Sequence, residues 1–298
     1  MFINPYESLN NPGRWMKANF HTHAGTGPNT CGAYEIDDVV RLYKEAGYDV
    51  LAITNHDCMI DVGEYQSKYD ILLFNGFEYS QDRHMLCIDA DRTVFGNHQD
   101  VLDEVGSMGG FSILCHPNWI VKEYWPWEEI SKLSGYTGIE VYNSVIFRLN
   151  GTGLAADTWD YLLSRGSLVW GFADDDFHRW FDLARSWNVV YAPARTREDV
   201  KAAIIGGCFY ATTGLVLNSF SLEDGVIALS AGLWDSYVKD NEYRFIGKDG
   251  QILDIQHGES GKYRIKGDET YIRVQVVSEH GAMLWTQPVY DGDLLSRP

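Results

Sequence analysis

Asp49-Val50-Leu51-Ala52-Ile53-Thr54-Asn55-His56-Asp57 is a short apolar run that ends in an imidazole and a carboxylate. Just before it, residues 36–46 place Val39, Val40, Leu42, Tyr43 and Ala46 at helical spacing. Asp37 and Asp38 suit the positive N-terminal end of that helix, and Gly47 stops it. The unit is therefore a helix, a strand and then ionisable side chains, and it recurs along the chain.

Working outward, Asp70 to Phe74 and Phe111 to Cys115 are nearly continuous apolar runs, the pattern of strands buried on both faces of a parallel sheet. Gly138 to Tyr142 and Ser167 to Phe172 read the same way. Helices are expected over Gln99 to Val105, over Leu154 to Ser164 with Gly166 behind it, and over Thr196 to Ile205, capped by Thr196 and closed by Gly206-Gly207. The Asn- and Pro-rich first fifteen residues read as a lead-in without an element. Strand–helix alternation over about 200 residues predicts an α/β fold, a βα barrel or a doubly wound sheet. Past Gly214 the period changes to two: Tyr271 to Val277 alternates, and Asp249-Gly250 signals a hairpin. The expected division is an α/β unit over 1–213 and a small antiparallel β domain over 214–298.

Composition narrows the function. The chain of 298 residues is 45% hydrophobic and 22% charged, a globular profile. Its formal charge of −18 argues against long nucleic acid and anionic membrane as partners, because no basic excess offsets phosphate repulsion. The five cysteines, Cys31, Cys58, Cys87, Cys115 and Cys208, are an odd number without paired spacing and read as free thiols. With no basic-then-apolar leader and no run of transmembrane length, a cytoplasmic location is the expectation.

Phe20-His21-Thr22-His23 closes another apolar stretch, and a His-x-His alone is a weak signal. Its weight comes from position. His56 and Asp57, Glu78, His116, Glu140, and Asp174-Asp175-Asp176 with His178 all fall at or just after predicted strands. In parallel α/β folds that rim gathers side chains from distant parts of the sequence. Imidazole with carboxylate suits Zn²⁺, Mn²⁺ or Fe²⁺, and a two-oxygen carboxylate can bridge two ions. Blander readings exist for each: His116 before Pro117 begins a turn, Asp57 caps a helix, and the three aspartates form a solvated loop. His84 opens its own strand. His98, His257 and His280 lie away from strand ends and read as surface residues.

The ordered set Phe20-His21-Thr22-His23, Ile53-Thr54-Asn55-His56-Asp57, Gly76-Phe77-Glu78 with His84, Cys115-His116-Pro117, Gly138-Ile139-Glu140 and Asp175-Asp176-Phe177-His178 resembles the polymerase and histidinol phosphatase (PHP) family of metal-dependent phosphoesterases. The resemblance covers roughly residues 15 to 212, and the β tail is similar to the accessory domain of some two-domain members. It implies a distorted, TIM-like seven-stranded βα barrel with two or three divalent ions. His21, His23, Glu78 and Asp176 would hold one ion, and Glu78, His84 and His116 a second. His56 and His178 would hold a third, where Cys31 stands in place of the family's usual aspartate.

The implied activity is hydrolysis of a small phosphomonoester, of nucleotide or sugar phosphate type, by a metal-bridging hydroxide. His178 or Asp57 would protonate the leaving oxygen, and Arg148 and Arg179 would contact the phosphoryl group, with Lys122 and Arg83 in reserve. Trp119, Tyr124, Trp125 and Trp127 form either a wall for a flat group or an ordinary packed loop. Two rivals stand beside this: a metallohydrolase of a non-phosphate ester or amide, and a noncatalytic scaffold whose β domain binds a glycan or a partner.

Overall fold

The computed structural model describes residues 1–28, 30–119, 124–233 and 240–298. The strands and α-helices run β1 (Phe2–Ile3), β2 (Arg14–Asn19), α1 (Ile36–Glu45), β3 (Val50–Ile53), α2 (Gly63–Tyr69), β4 (Leu72–Tyr79), β5 (Met85–Ile88), α3 (His98–Ser107), β6 (Phe111–Leu114), α4 (Trp127–Ile130), β7 (Gly138–Asn143), α5 (Ala156–Ser164), β8 (Trp170–Asp174), β9 (Trp187–Ala192), α6 (Arg197–Gly206) and β10 (Phe209–Thr212). Among the described residues no α-helix follows, and the further strands are β11 (Leu215–Glu223), β12 (Val226–Leu233), β13 (Asn241–Ile246), β14 (Ile252–Gly258), β15 (Ser260–Arg264), β16 (Tyr271–Ser278), β17 (Met283–Thr286) and β18 (Val289–Asp291). The result is a mixed α/β structure with one large sheet and few helices.

That sheet runs β1-β18-β16-β17-β10-β9-β2-β3-β4-β5-β6-β7-β8. The pairs β2–β3, β3–β4, β6–β7 and β7–β8 are parallel, whereas β5 lies antiparallel to both β4 and β6. The apolar runs read as strands of a parallel sheet, and the sheet departs from that at β5 and again at β9, which is antiparallel to both β2 and β10; for β5 the sequence between the strands shows why. The reason is geometric: residues 80–84 between β4 and β5 are too few for the crossover that parallel strands require. The lead-in is also more structured than expected, since β1 pairs with β18 and β2 already begins at Arg14. The run placed at Asp70 starts two residues later, because Asp70 adopts the left-handed conformation that ends α2.

Local signals elsewhere hold. Val39, Val40 and Tyr43 of α1 are buried, and the Thr196 hydroxyl accepts from the Asp199 N–H at the start of α6. Asp249 and Gly250 both take positive φ between β13 and β14.

At its far end β8 pairs only with β7, and side chains connect it to the strands beyond. Asn188 of β9 accepts from the Ala173 N–H at 3.0 Å and donates to its carbonyl at 2.9 Å, while Asp174 accepts from the Phe20 N–H at 2.7 Å. Of the C-terminal strands, β13, β14, β16, β17 and β18 join the same sheet through β10–β17, whereas β11, β12 and β15 form a separate three-stranded sheet, and Gln287 makes reciprocal bonds of 2.9 and 2.8 Å with the backbone of Gly171 in β8.

Arg273 of β16 and Asp160 of α5 form a buried ion pair, with contacts of 2.7 and 2.6 Å and the Tyr271 hydroxyl at 2.8 Å. Removing one partner strands a charge in the interior. Asp160→Ala is expected to lower the unfolding free energy by about 3–5 kcal/mol in chemical denaturation, whereas Asp160→Leu combined with Arg273→Met costs less than either single change.

Candidate metal centre at the strand ends

Six histidines separated by as much as 157 positions (His21 to His178) meet because five follow strands of the same sheet and His84 opens the antiparallel β5, whose start lies at the same rim. Asn19 ends β2 and donates to the His21 carbonyl at 2.8 Å and to Thr22 Oγ1 at 2.7 Å; its own carbonyl oxygen accepts from the Asp175 N–H. His23 N donates to the Phe177 carbonyl at 2.9 Å, and Thr54 N to the Thr22 carbonyl at 2.8 Å. The ends of β2, β3 and β8 are thereby laced together. His116 and Asp176 sit at φ of 30° and 52°, left-handed backbone that aims both side chains inward.

Glu78, 1% exposed, is the centre. Its Oε1 lies 2.8 Å from His84 Nδ1 and 3.3 Å from both His21 Nε2 and His116 Nε2. Its Oε2 lies 2.8 Å from His56 Nδ1 and 3.3 Å from His23 Nε2. Asp176 Oδ1 is 3.3 Å from His21 Nε2, 3.2 Å from His23 Nε2 and 3.4 Å from His178 Nδ1. Despite these approaches, His21 Nε2, His23 Nε2, His56 Nδ1, Glu78 Oε2 and Asp176 Oδ1 have no partner with hydrogen-bond geometry. Buried polar atoms left this way carry a desolvation cost, and cations at their points of convergence would remove it. The groupings His21–His23–Asp176, His56–Glu78–His84, His21–Glu78–Cys115–His116 and His23–Cys31–His56–His178 each bring their donor atoms within 4.8 Å of one another. Imidazole and carboxylate donors at this spacing fit divalent metal ions.

Protonation follows from the same packing. Burial alone would push the Glu78 carboxyl up, but His21, His84 and His56 reverse this and hold it well below the usual carboxylate range. Asp176 is lowered in the same way, against its burial, by His21, His23 and His178. Burial depresses His23 to about 3, leaving a neutral Lewis base. His21 is raised well above its ordinary value because Asp176, Glu78 and Glu140 outweigh its burial.

Two residues serve the cluster in roles the sequence reading did not assign. Glu140 Oε1 lies 2.7 Å from His21 Nδ1, a contact that keeps a proton on Nδ1 and directs Nε2 toward Glu78 and Asp176. Asn143 donates to Glu140 Oε2 at 2.9 Å and to Asp176 Oδ2 at 3.2 Å. Glu140's signal was available, since it stands in a strand like the others. The aspartate trio is not a solvated loop: all three are buried, and Asp175 accepts from the backbone of residues 184–186.

Asp57, expected as a proton donor, is corrected by its contacts. Its carboxylate accepts from Ser80 N at 2.9 Å, Ser80 Oγ at 2.7 Å and Gln81 Nε2 at 2.6 Å, which hold it in a turn outside the cavity lining. The cavity itself, about 420 Å³, is lined by Cys31, His56, Glu78, His84, His116, Trp119, Arg148, Asp176, His178 and Arg179 among others. Arg148 is oriented by bonds of 3.0 and 2.9 Å to Asp182, and Arg179 is exposed on the wall. Arg83 instead donates to the Tyr124 carbonyl and pairs with Glu129, and Lys122 lies outside the described residues. Of the four aromatic candidates, Trp119 lines the cavity, with its ring 5.0 Å from that of His116. Tyr124 packs behind it, Trp125 is buried, and Trp127 stacks on Tyr161 elsewhere.

No family model matches the chain, and no curated protein matches it. Among solved structures, a two-domain protein containing a predicted PHP-like metal-dependent phosphoesterase, from Bacteroides vulgatus ATCC 8482, aligns over 89% of this chain and 91% of its own, at TM-score 0.54 and 17% identity. The lesion-specific endonuclease EndoQ from Pyrococcus furiosus aligns over 65% of this chain and 56% of its own, at 13% identity. A complex of Endonuclease Q with a 27-mer duplex bearing an abasic lesion aligns over 65% and 57%, at 11% identity. With TM-scores of 0.45 and 0.42, these two alignments fix no fold. The ordered histidine motifs and the architecture agree, and this chain has the fold of a PHP-like metal-dependent phosphoesterase.

Proposed function

We propose that the protein is a metal-dependent hydrolase of small phosphomonoesters, of nucleotide or sugar phosphate type. The observation that carries this reading is a cavity in which unpartnered buried imidazole and carboxylate atoms share one wall with two guanidinium groups, Arg148 and Arg179. In a chain of net charge −18, two guanidinium groups beside a site that would hold divalent cations suit an anion. His21, His23, Glu78 and Asp176 would hold one ion; Glu78, His84 and His116 a second; His56 and His178 belong to a third. Mn²⁺, Fe²⁺ and Zn²⁺ are the candidates by donor type. When bound, such ions supply Lewis acidity and a water of near-neutral pKa.

The protein's own part is positional. Arg148, braced by Asp182, and Arg179 contact phosphoryl oxygens, while His178 at the cavity wall protonates the departing oxygen. Trp119, on the cavity wall, offers an apolar surface to a flat leaving group. Residues 14–174 are read as a distorted seven-stranded barrel, β2 to β8, whose last seam is made by side chains. Residues 214–298 are read as an accessory β domain on the α/β unit of 1–213. No helix among the described residues is long and apolar enough to cross a membrane, and the five free cysteines support a cytoplasmic setting.

Release of inorganic phosphate from a panel of small phosphomonoesters, including 3′,5′-bisphosphonucleotides and histidinol phosphate, tests the reading with Mn²⁺, Zn²⁺ or Fe²⁺ supplied. Glu78→Gln is expected to abolish release while the protein stays folded; wild-type rates from that variant would sink the assignment. Arg179→Ala is expected to lower kcat/KM about 10–100-fold, the worth of one charge-assisted hydrogen bond. Silence across the panel from metal-loaded protein would favour a non-phosphate ester or amide.

Metal removal gives an independent readout. Each ion at 100 times its Kd is expected to stabilise the chelated protein by about 2.7 kcal/mol in denaturant unfolding. Glu78→Gln is expected to lose most of that gain, and identical unfolding of wild type with and without ions would contradict a metal centre.

A further inference from the structure

Among the described residues, Cys31 is the one sulfur beside the oxygen and nitrogen donors on the cavity wall. Its Sγ lies 3.0 Å from His23 Nδ1 and 3.6 Å from Asn55 Oδ1, and it belongs with His23, His56 and His178 to a set of donor atoms mutually within 4.8 Å. Backbone packing puts it there. A Cβ at Gly32 would stand 2.5 Å from Ala24 Cα, so only glycine lets the loop carrying Cys31 lie flat against the residue after His23. Asn55 holds that residue from the other side, accepting from Ala24 N at 2.9 Å and donating to its carbonyl at 2.8 Å.

Hydrogen bonding then constrains the sulfur. His23 Nε2 faces Asp176 and Glu78 at 3.2 and 3.3 Å without a hydrogen-bond partner. Once that nitrogen gives its lone pair to a cation, the ring proton resides on Nδ1, 3.0 Å from Sγ. An N–H in that position is best met by a thiolate. A thiolate held in this half-buried wall needs a cation of its own to balance its charge. His56 and His178 are the imidazoles beside it.

We propose that Cys31, with His56 and His178, binds a divalent cation through sulfur, and that this position prefers Zn²⁺, Co²⁺ or Fe²⁺ to Mn²⁺ or Mg²⁺. Binding forms a metal–sulfur bond and releases the thiol proton to solvent. The preference follows from ligand softness: a thiolate with two imidazoles selects borderline ions, whereas a carboxylate in the same place would admit the harder ones. The proposal rests on the strand-end cluster being a metal centre, but not on the substrate.

The test is spectroscopic. Full-length protein stripped by chelator is titrated with Co²⁺. The expected result is an intense thiolate-to-cobalt charge-transfer band in the near ultraviolet, lost in Cys31→Ser together with one bound ion per chain, and retained in Cys58→Ser. Zn²⁺ is expected to displace the band at concentrations at least about ten-fold below those of Mn²⁺.

Cobalt that binds without the band, or a band that survives Cys31→Ser, overturns the proposal, and equal displacement by Mn²⁺ overturns the preference. No cobalt binding at all overturns the metal centre as well. A band from protein that releases no phosphate leaves the sulfur ligand in place and removes only the phosphoesterase reading.

Discussion

The site depends on one buried carboxylate. Glu78 is enclosed by His21, His23, His56, His84 and His116, all within 3.3 Å of one or the other of its oxygens. Five imidazoles cannot all donate to two oxygens at useful angles, and Glu78 Oε2 is left without a hydrogen bond. Taking a carboxylate out of water costs several kcal/mol unless charge is returned to it. Here the compensation is divided between imidazolium character at His21 and the cations that the remaining lone pairs can hold. The cluster is therefore poised between two ways of balancing the same charge, which is the behaviour expected of a metal centre rather than of a packed core.

Holding five rings around one carboxylate requires that strands from distant parts of the sheet end at the same level. That level is set by short polar side chains rather than by backbone ladders. Asn19, Asp174, Asp175 and Asn188 together bridge β2, β8, β9 and the segment at 184–186. Each is buried and bonds at least one backbone group at the sheet's seam. Because these bonds fix the backbone on both sides of His21, His23 and Asp176, small changes there propagate to the donor atoms more directly than changes in the apolar core.

Much of this was legible in the sequence, for identifiable reasons. The strand-end histidines were visible because a buried strand announces itself by an apolar run, and an imidazole just past it has few structural uses. The antiparallel turn of β5 was also written in the chain, in the five residues from Ser80 to His84, but the continuous apolar pattern of β4 masked it. Asp57 misled because an acid beside a ligand histidine looks the same in sequence whether it faces the cavity or, as here, Ser80 and Gln81. The seam residues carry no local signal at all: Asn188 lies in β9, 15 positions from the Ala173 peptide it clamps. Such contacts arise from topology, and no window of sequence contains both partners.

Net charge and local charge point in opposite directions, and together they bear on what the cavity admits. On the proposed reading, a net charge of −18 disfavours a polyanion once it comes within the screening distance of about 8 Å at physiological salt. A small anion meets that field only briefly before reaching a cavity of about 420 Å³ with Arg148 and Arg179 on its wall. On the proposed reading, the same acidity that excludes long nucleic acid also concentrates divalent cations near the rim. The metal centre and the guanidinium pair then reverse the sign of the field only where the phosphoryl group must sit. Selection for small phosphorylated molecules would follow from that geometry of charge before any contact with the rest of the substrate is made.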